Sequence, residues 1–219
     1  MIIPNFRGWL IKNVSAVQLR KLWAWGNNAS GQLGLGNTTD RSSPVQVGTG
    51  TDWASVDAGD AHTMAIKTTG TLWAWGNNTS GRLGLGNTTN RSSPVQVGTD
   101  TDWASASGGA THTLAIKTTG TLWAWGNNAY GRLGLGDFIS RLSPVQVGTD
   151  TDWESVSAGA LGHTIAKKTN GSIWSWGNRS DGQGAIPFQK TYTSPVQIGI
   201  ASNWFPSTFS RFGISVKIE

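Results

Sequence analysis

Large apolar residues in this chain alternate with small or polar ones over short runs, and the same runs return every 50 residues. From Thr71 to Gly76, Trp73 and Trp75 alternate with Leu72 and Ala74, the two-residue period of a strand whose two faces carry side chains of different size. His62 to Lys67 precedes that run, and Thr68-Thr69-Gly70 joins the two as a hairpin loop in which glycine supplies a positive φ. Pro94 to Gly98 reads as a third strand, and its proline, lacking an N–H, suits a strand start or an outer edge. Trp103 to Ser107 reads as a fourth, small enough to crowd near an axis.

The repetition sets the architecture. Leu-Trp-Ala-Trp-Gly-Asn-Asn begins at Leu22, Leu72 and Leu122, and Ile173 to Asn178 is a fourth copy. Ser-Pro-Val-Gln begins at Ser43, Ser93, Ser143 and Ser194; Asp-Trp stands at Asp52, Asp102 and Asp152, with Asn203-Trp204 in the fourth unit. Short strands with apolar faces on both sides cannot bury themselves alone and must stack on their neighbours. The expected fold is therefore all-β: a β-propeller-like array of about four four-stranded blades, either a small closed ring or an open capped arc. Residues 1–21 are expected to hold a degenerate cap strand, and the repeats are drawn at 22–70, 71–120, 121–171 and 172–219. Phe6 to Lys12 and Arg211 to Lys217 both read as worn copies of the His-Thr-Leu-Ala-Ile-Lys strand.

Composition removes several chemistries. Thirty glycines and thirteen tryptophans beside a charged fraction of 13% suit strands and tight turns. The absence of cysteine excludes disulfides, thiolate zinc sites and cysteine nucleophiles. No run of about 18 apolar residues is present, and Met1 to Arg20 has no small-residue cleavage site. A cytoplasmic protein with no membrane partner is expected, with a virion as the alternative. The net charge of +5 is spread without a polybasic block, so it permits nucleic-acid contact without indicating it. The glycine-rich stretch from Asn77 to Gly86 lacks the Lys-Ser/Thr ending of a phosphate loop and reads as a structural corner.

Trp-Ala-Trp-Gly-Asn-Asn, Gly-Gln-Leu-Gly-Leu-Gly, Ser-Pro-Val-Gln-Val and Ala-Gly-x-x-His-Thr, in fixed order over residues 22–219, resemble the repeat of the regulator of chromosome condensation family. The resemblance implies a propeller, usually of seven blades. It also implies a range of activities: exchange factor for the Ran GTPase, nucleosome binder, plant ultraviolet photoreceptor, or bacterial inhibitor or surface module. Fold transfers along such a likeness better than activity does.

Candidate residues recur once per unit. His62, His112 and His163 suggest a buried hydrogen bond tying strands or blades, in preference to a three-histidine metal site. Asp52, Asp102 and Asp152 suggest Asx-type turns, since one identical carboxylate per blade lacks the asymmetry of a catalytic pair. Trp23, Trp25, Trp73, Trp75, Trp123, Trp125, Trp174 and Trp176 are expected to fill blade interfaces. Arg41, Arg91 and Arg141, with Arg82 and Arg132 in the glycine loops, are expected to form an arc of positive charge on one rim. The third unit departs from the others: Phe138, Ile139 and Leu142 replace Thr and Ser, and Tyr130 replaces Ser, an apolar cluster in a polar loop that marks a protein-contact site. The function expected is thus a non-enzymatic scaffold without cofactor or metal that binds another protein or itself. Exchange on a small GTPase, nucleic-acid or chromatin binding, and a structural place in a virion or surface assembly are the alternatives.

Overall fold

The structure is a computed structural model describing residues 20–178 and 191–198. The worn strand copies at Phe6 to Lys12 and Arg211 to Lys217, and Asn203-Trp204, lie outside the described residues. Fourteen strands and no helix occur among those described: β1 (Trp23–Gly26), β2 (Arg41–Gln46), β3 (Trp53–Ala58), β4 (His62–Lys67), β5 (Leu72–Gly76), β6 (Arg91–Gln96), β7 (Trp103–Gly108), β8 (His112–Lys117), β9 (Leu122–Gly126), β10 (Arg141–Gln146), β11 (Trp153–Ala158), β12 (His163–Lys168), β13 (Ile173–Gly177) and β14 (Tyr192–Ile198). No helix among them is long and apolar enough to cross a membrane.

The strands form three antiparallel four-stranded meanders, β3-β4-β5-β6, β7-β8-β9-β10 and β11-β12-β13-β14, preceded by the two-stranded β1-β2. The strand beginning at Trp103 opens the next sheet and does not close the one before, so each four-stranded sheet straddles two of the repeats drawn from Leu22. Pro94 lies inside β6, at the outer edge of its sheet, where pairing slips between Ala74 opposite Val95 and Gly76 opposite Arg91. A missing N–H is harmless at such an irregular edge.

Stacking follows from the two unlike faces that the alternation creates. The front of β3-β6 offers Met64, Ile66, Leu72, Ala74 and Val97, and against it pack Trp103, Ala115 and Trp125 from the rear of the next sheet, with Leu83 of the intervening loop. The same apposition recurs between β7-β10 and β11-β14 around Trp153 and Trp176, and between β1-β2 and β3-β6 around Trp53 and Trp75. β7 packs on β3 and β4, and β11 on β7 and β8, so first strands stand side by side on the inner side of the stack. Gly108 N donates to Asp57 Oδ2 at 2.8 Å, and Ala158 N to Ser107 Oγ at 3.1 Å, across those inner strands. The described sheets form an open arc, in which β11-β14 does not pack on β1-β2.

Gly84, at φ +72°, shows how tight the apposition is: a Cβ there would stand 2.9 Å from Trp125 Nε1. Gly98 shares the left-handed conformation, at φ +61°, but nothing lies within 4 Å of its Cβ position. Gly98→Ala is therefore expected to cost only the backbone strain of about 1–2 kcal/mol, and Gly84→Ala distinctly more, because the sheets must part as well. Denaturant titration of the two variants checks this, and equal losses would contradict it.

Candidate functional site

The long loops between β1 and β2, β5 and β6, and β9 and β10 are each built around one buried asparagine. In the second repeat, Asn78 Nδ2 donates to the carbonyls of Asn87 at 2.8 Å and Thr89 at 3.1 Å, while its Oδ1 accepts from Leu83 N at 3.0 Å. Asn28 and Asn128 occupy the same place. The backbone N–H groups of the glycines are used internally or on the next sheet, as with Gly84 N on Gly81 O and Gly86 N on Leu142 O. The loop is a corner joining two blades, with those donors already committed.

From this corner each sheet ties itself to the next. The carbonyl of Arg82 accepts both the indole N–H of Trp125, at 2.9 Å, and the hydroxyl of Thr113, at 2.8 Å. Gln32 serves Trp75 and Thr63 in the same way, and Arg132 serves Trp176 and Thr164. Because the single hydroxyl proton of Thr113 goes to Arg82, its oxygen must accept from His62 Nε2, 2.9 Å away, which fixes His62 as the neutral Nε2–H tautomer. His112 stands in the corresponding place at 3.4 Å from Thr164 Oγ1. Gly59 precedes His62 by three residues because a Cβ there would strike the imidazole, 2.3 Å from Cε1. The three histidines sit one per sheet, and among the described residues no group of three His, Cys, Asp or Glu is placed to hold a metal ion.

Burial, aided by Arg82, lowers His62 from 6.5 to about 3. Burial, then the charges of Arg132 and its neighbours, holds His112 well below its ordinary value, and burial lowers His163.

The arginines of the glycine loops are corrected by the structure. Arg82 and Arg132 are buried: Arg82 Nη1 donates to Ala110 O at 2.7 Å, and Arg132 Nη1 to Thr111 Oγ1. Burial lowers the pKa of both. They brace the β7–β8 turn and add nothing to an exposed positive arc. Arg41, Arg91 and Arg141 begin β2, β6 and β10 at one equivalent position and are half-buried. Arg141 is ion-paired with Asp137 at 2.6 Å.

The tryptophans divide by position. Trp75, Trp125 and Trp176 are fully buried, and Trp73, Trp123 and Trp174 partly so; Trp23 and Trp25 are 49% and 60% exposed, because no described sheet stands behind β1. On the opposite rim each sheet has a lysine held by aromatic rings and carboxylates. Lys117 Nζ lies 5.0 Å from the Trp103 ring centroid, 4.9 Å from that of Trp123, 2.7 Å from Asp100 and 3.0 Å from Asp102. Lys67 with Asp52, and Lys168 with Asp150 and Asp152, repeat the arrangement. Asp52, Asp102 and Asp152, whose place before a strand suggests turn caps, are thus lysine partners. Burial opposes the charge on Lys117 and Lys168, but their paired carboxylates outweigh it and raise both pKa values.

A second group of exposed apolar residues, apart from Trp23, Trp25 and Val56 on the first repeat, lies on the third. Phe138 and Ile139 are 57% and 66% exposed, and Leu142 and Tyr130 are also exposed. Their loop is held firmly: Ile139 N donates to Asp137 Oδ1 at 2.9 Å, Arg141 Nη1 to Ile139 O at 2.6 Å, and Asn128 Nδ2 to Asp137 O at 2.9 Å. Burial works against the charge on Asp137, but the Ile139 N–H and the Arg141 guanidinium hold its carboxyl below the usual range. Leu142 covers Gly81 of the preceding loop, while Gly131, next to Tyr130, abuts Thr193 of the following sheet. The four side chains therefore spread across a blade's width, with Arg132 stacked 5.1 Å from the Tyr130 ring centroid.

Meanders stacked aromatic rear to aliphatic front, with loop carbonyls as ties, define a β-propeller repeat protein. The regulator of chromosome condensation (RCC1) repeat pattern matches residues 21–66, 69–116 and 119–166, and a second pattern of the same repeat matches 53–82, 103–132 and 153–183. The chain belongs to the RCC1 repeat family. Its fold is similar to that of yeast RCC1 (Prp20) bound to Kap60, with 23% identity and a TM-score of 0.72 over 83% of this chain and 45% of that one. Human WBSCR16 gives 21% and 0.75 over 84% and 49%. Prp20p of Saccharomyces cerevisiae, studied for binding to Gsp1p and histones, gives 23% and 0.70 over 81% and 46%. The chain thus spans about half the length of these solved structures. No curated protein sequence matches it.

Folded histidines that resist protonation bind fewer protons than unfolded ones. Their contribution to stability is complete above the unfolded pKa of 6.5 and is lost as pH falls toward the folded value of about 3 for His62. Each such group contributes a slope of about 1.4 kcal/mol per pH unit across that window. Denaturant titrations are expected to show stability falling between about pH 6.5 and 4.5, and His62→Asn to flatten that slope while lowering stability at neutral pH. A pH-independent stability over this range would contradict the assignment.

Proposed function

We propose that the chain is a non-enzymatic propeller module, working in the cytoplasm, that binds another protein through the β9–β10 loop. Phe138, Ile139, Leu142 and Tyr130 form its contact, and Arg41, Arg91 and Arg141 its polar surround. The observation that carries this reading is the exposure of Phe138 and Ile139 on a loop already ordered by Asn128, Asp137 and Arg141. Apolar side chains held in one conformation bind with little loss of entropy, and hot spots favour such anchors. The polar Thr38-Thr39 and Thr88-Thr89 at the equivalent places would supply no such anchor. The protein partners named for the yeast relatives, Kap60, Gsp1p and histones, support protein as the class of ligand. With Arg82 and Arg132 buried and Arg141 paired, the rim offers less free positive charge than nucleic-acid binding by phosphate contacts calls for.

The double variant Phe138→Ser/Ile139→Ser is expected to keep its fold, since both side chains are exposed, and to lose proteins that the wild-type chain retains through a high-salt wash. Loss of tenfold or more in recovery corresponds to about 1.4 kcal/mol. Equal recovery by the two chains would sink the assignment, and salt-labile recovery of nucleic acid alone would move it to the arginine row.

A further inference from the structure

The three lysines held between indoles are not equivalent. Lys117 has two carboxylates, Asp100 at 2.7 Å and Asp102 at 3.0 Å, and Lys168 has Asp150 at 2.7 Å and Asp152 at 2.9 Å. Lys67 lies between Trp53 and Trp73 in the same way, 5.1 and 4.9 Å from their ring centroids, but pairs with Asp52 alone, at 3.2 Å. Gly50 stands where Asp100 and Asp150 stand in the other two. Its Cβ position is 3.4 Å from Asp52 Oδ1 and 3.2 Å from Trp53 Nε1, so the missing carboxylate belongs beside the caged ammonium. The Lys67 side chain is 22% exposed, against 12% for Lys117 and 10% for Lys168.

The chain alongside this junction differs as well. Arg20 N donates to Thr51 O at 2.8 Å, and Arg20 O accepts from Trp53 N at 3.3 Å; Gly70 and Gly120 hold that place before Trp103 and Trp153. Lys21 follows where Thr71 and Thr121 follow, and both Arg20 and Lys21 are exposed. Three cations thus stand against one carboxylate at the first junction, whereas the second sets one lysine against two aspartates. The third repeats the second and adds the self-neutralising pair of Lys167 and Glu154. No Asp or Glu occurs in residues 1–20 to redress the balance.

We propose that the junction of Lys67, Arg20 and Lys21 is a binding site for an acidic peptide segment, one of whose carboxylates lies on Lys67 where Asp100 and Asp150 lie on Lys117 and Lys168. The repeats themselves show the ligand that fits: in both sister cages the second partner of the ammonium is an aspartate carboxylate. The indoles and Asp52 already fix the Lys67 ammonium, so little side-chain entropy is lost when a carboxylate arrives. Arg20 and Lys21 extend the positive field along the rim and attract a second acidic residue of the same segment. This rim is opposite the β9–β10 loop, so the site stands independently of the contact made by Phe138 and Ile139.

Titration of the full chain with a capped Gly-Asp-Gly-Asp-Gly peptide, followed by nuclear magnetic resonance of the indole N–H groups, tests this. Trp53 and Trp73 are expected to shift saturably and Trp103 and Trp153 to stay still, with the peptide carrying Asn for Asp inactive and affinity falling as salt rises. Gly50→Asp places the carboxylate within the chain and is expected to abolish the response; Gly50 is outside the left-handed region, so the variant keeps its fold. Lys67→Gln is expected to weaken binding about tenfold, the loss of one charge-assisted hydrogen bond. Equal shifts at all three cages, no saturable shift at Trp53, an unchanged response in Gly50→Asp, or tighter binding of inorganic phosphate or oligothymidylate than of the peptide would overturn the proposal. Phe138→Ser/Ile139→Ser is expected to leave the response intact, so failure here and failure of the protein-contact loop are separate results.

Discussion

The carbonyl oxygens of Gln32, Arg82 and Arg132 are the points on which the architecture hangs. Each receives an indole N–H and a threonine hydroxyl from the following sheet, about 2.8–2.9 Å away, inside an interface sealed by tryptophan on one side and Leu, Ile, Met or Val on the other. Apolar burial alone is non-directional and would let the sheets slide. A buried carbonyl with two directed donors fixes their register, because losing either partner leaves a polar group unsatisfied in a dry place. The left-handed glycine corner is needed to bring that carbonyl over the edge of its own sheet. The buried histidine follows as the donor that completes the threonine.

This division of labour leaves the rims free to vary. Asn128, Arg132 and the flanking glycines are committed to holding the third corner together, yet Phe138 and Ile139 project from it without a structural duty. A polar-to-apolar difference at such a position gains nothing for the fold and costs solubility, which supports the proposed contact. The unlike front and rear faces also give the stack a direction. Trp23 and Trp25, behind which no described sheet stands, are exposed.

Much of this was legible in the chain. Alternation of Trp with Leu and Ala announced strands with unlike faces, and the 50-residue return of the motif announced stacking. The exposed character of Phe138, Ile139 and Leu142 followed from their contrast with the other repeats. Other features were hidden because they depend on residues distant in sequence. Arg82 looks like a surface charge in a polar loop, and only its contact with Ala110 in the next sheet buries it. Asp102 looks like a turn cap until Lys117 is seen beside it between two indoles. The repeat motif is silent about where a sheet begins, since a period can be cut at any point; that Trp103 opens a sheet is decided by pairing with Lys117, not by spacing. Identity of motif also cannot separate Trp25 from Trp75, whose environments differ only in what stands behind them.

Hydrogen exchange of the indole N–H protons, followed by nuclear magnetic resonance, reaches the central claim most directly. The indoles of Trp75, Trp125 and Trp176 are predicted to exchange only when neighbouring sheets separate, with protection that falls in step with denaturant-induced unfolding. Exchange of these three protons at the rate of a free indole, under conditions where the sheets remain folded, would contradict the claim that loop carbonyls tie one sheet to the next.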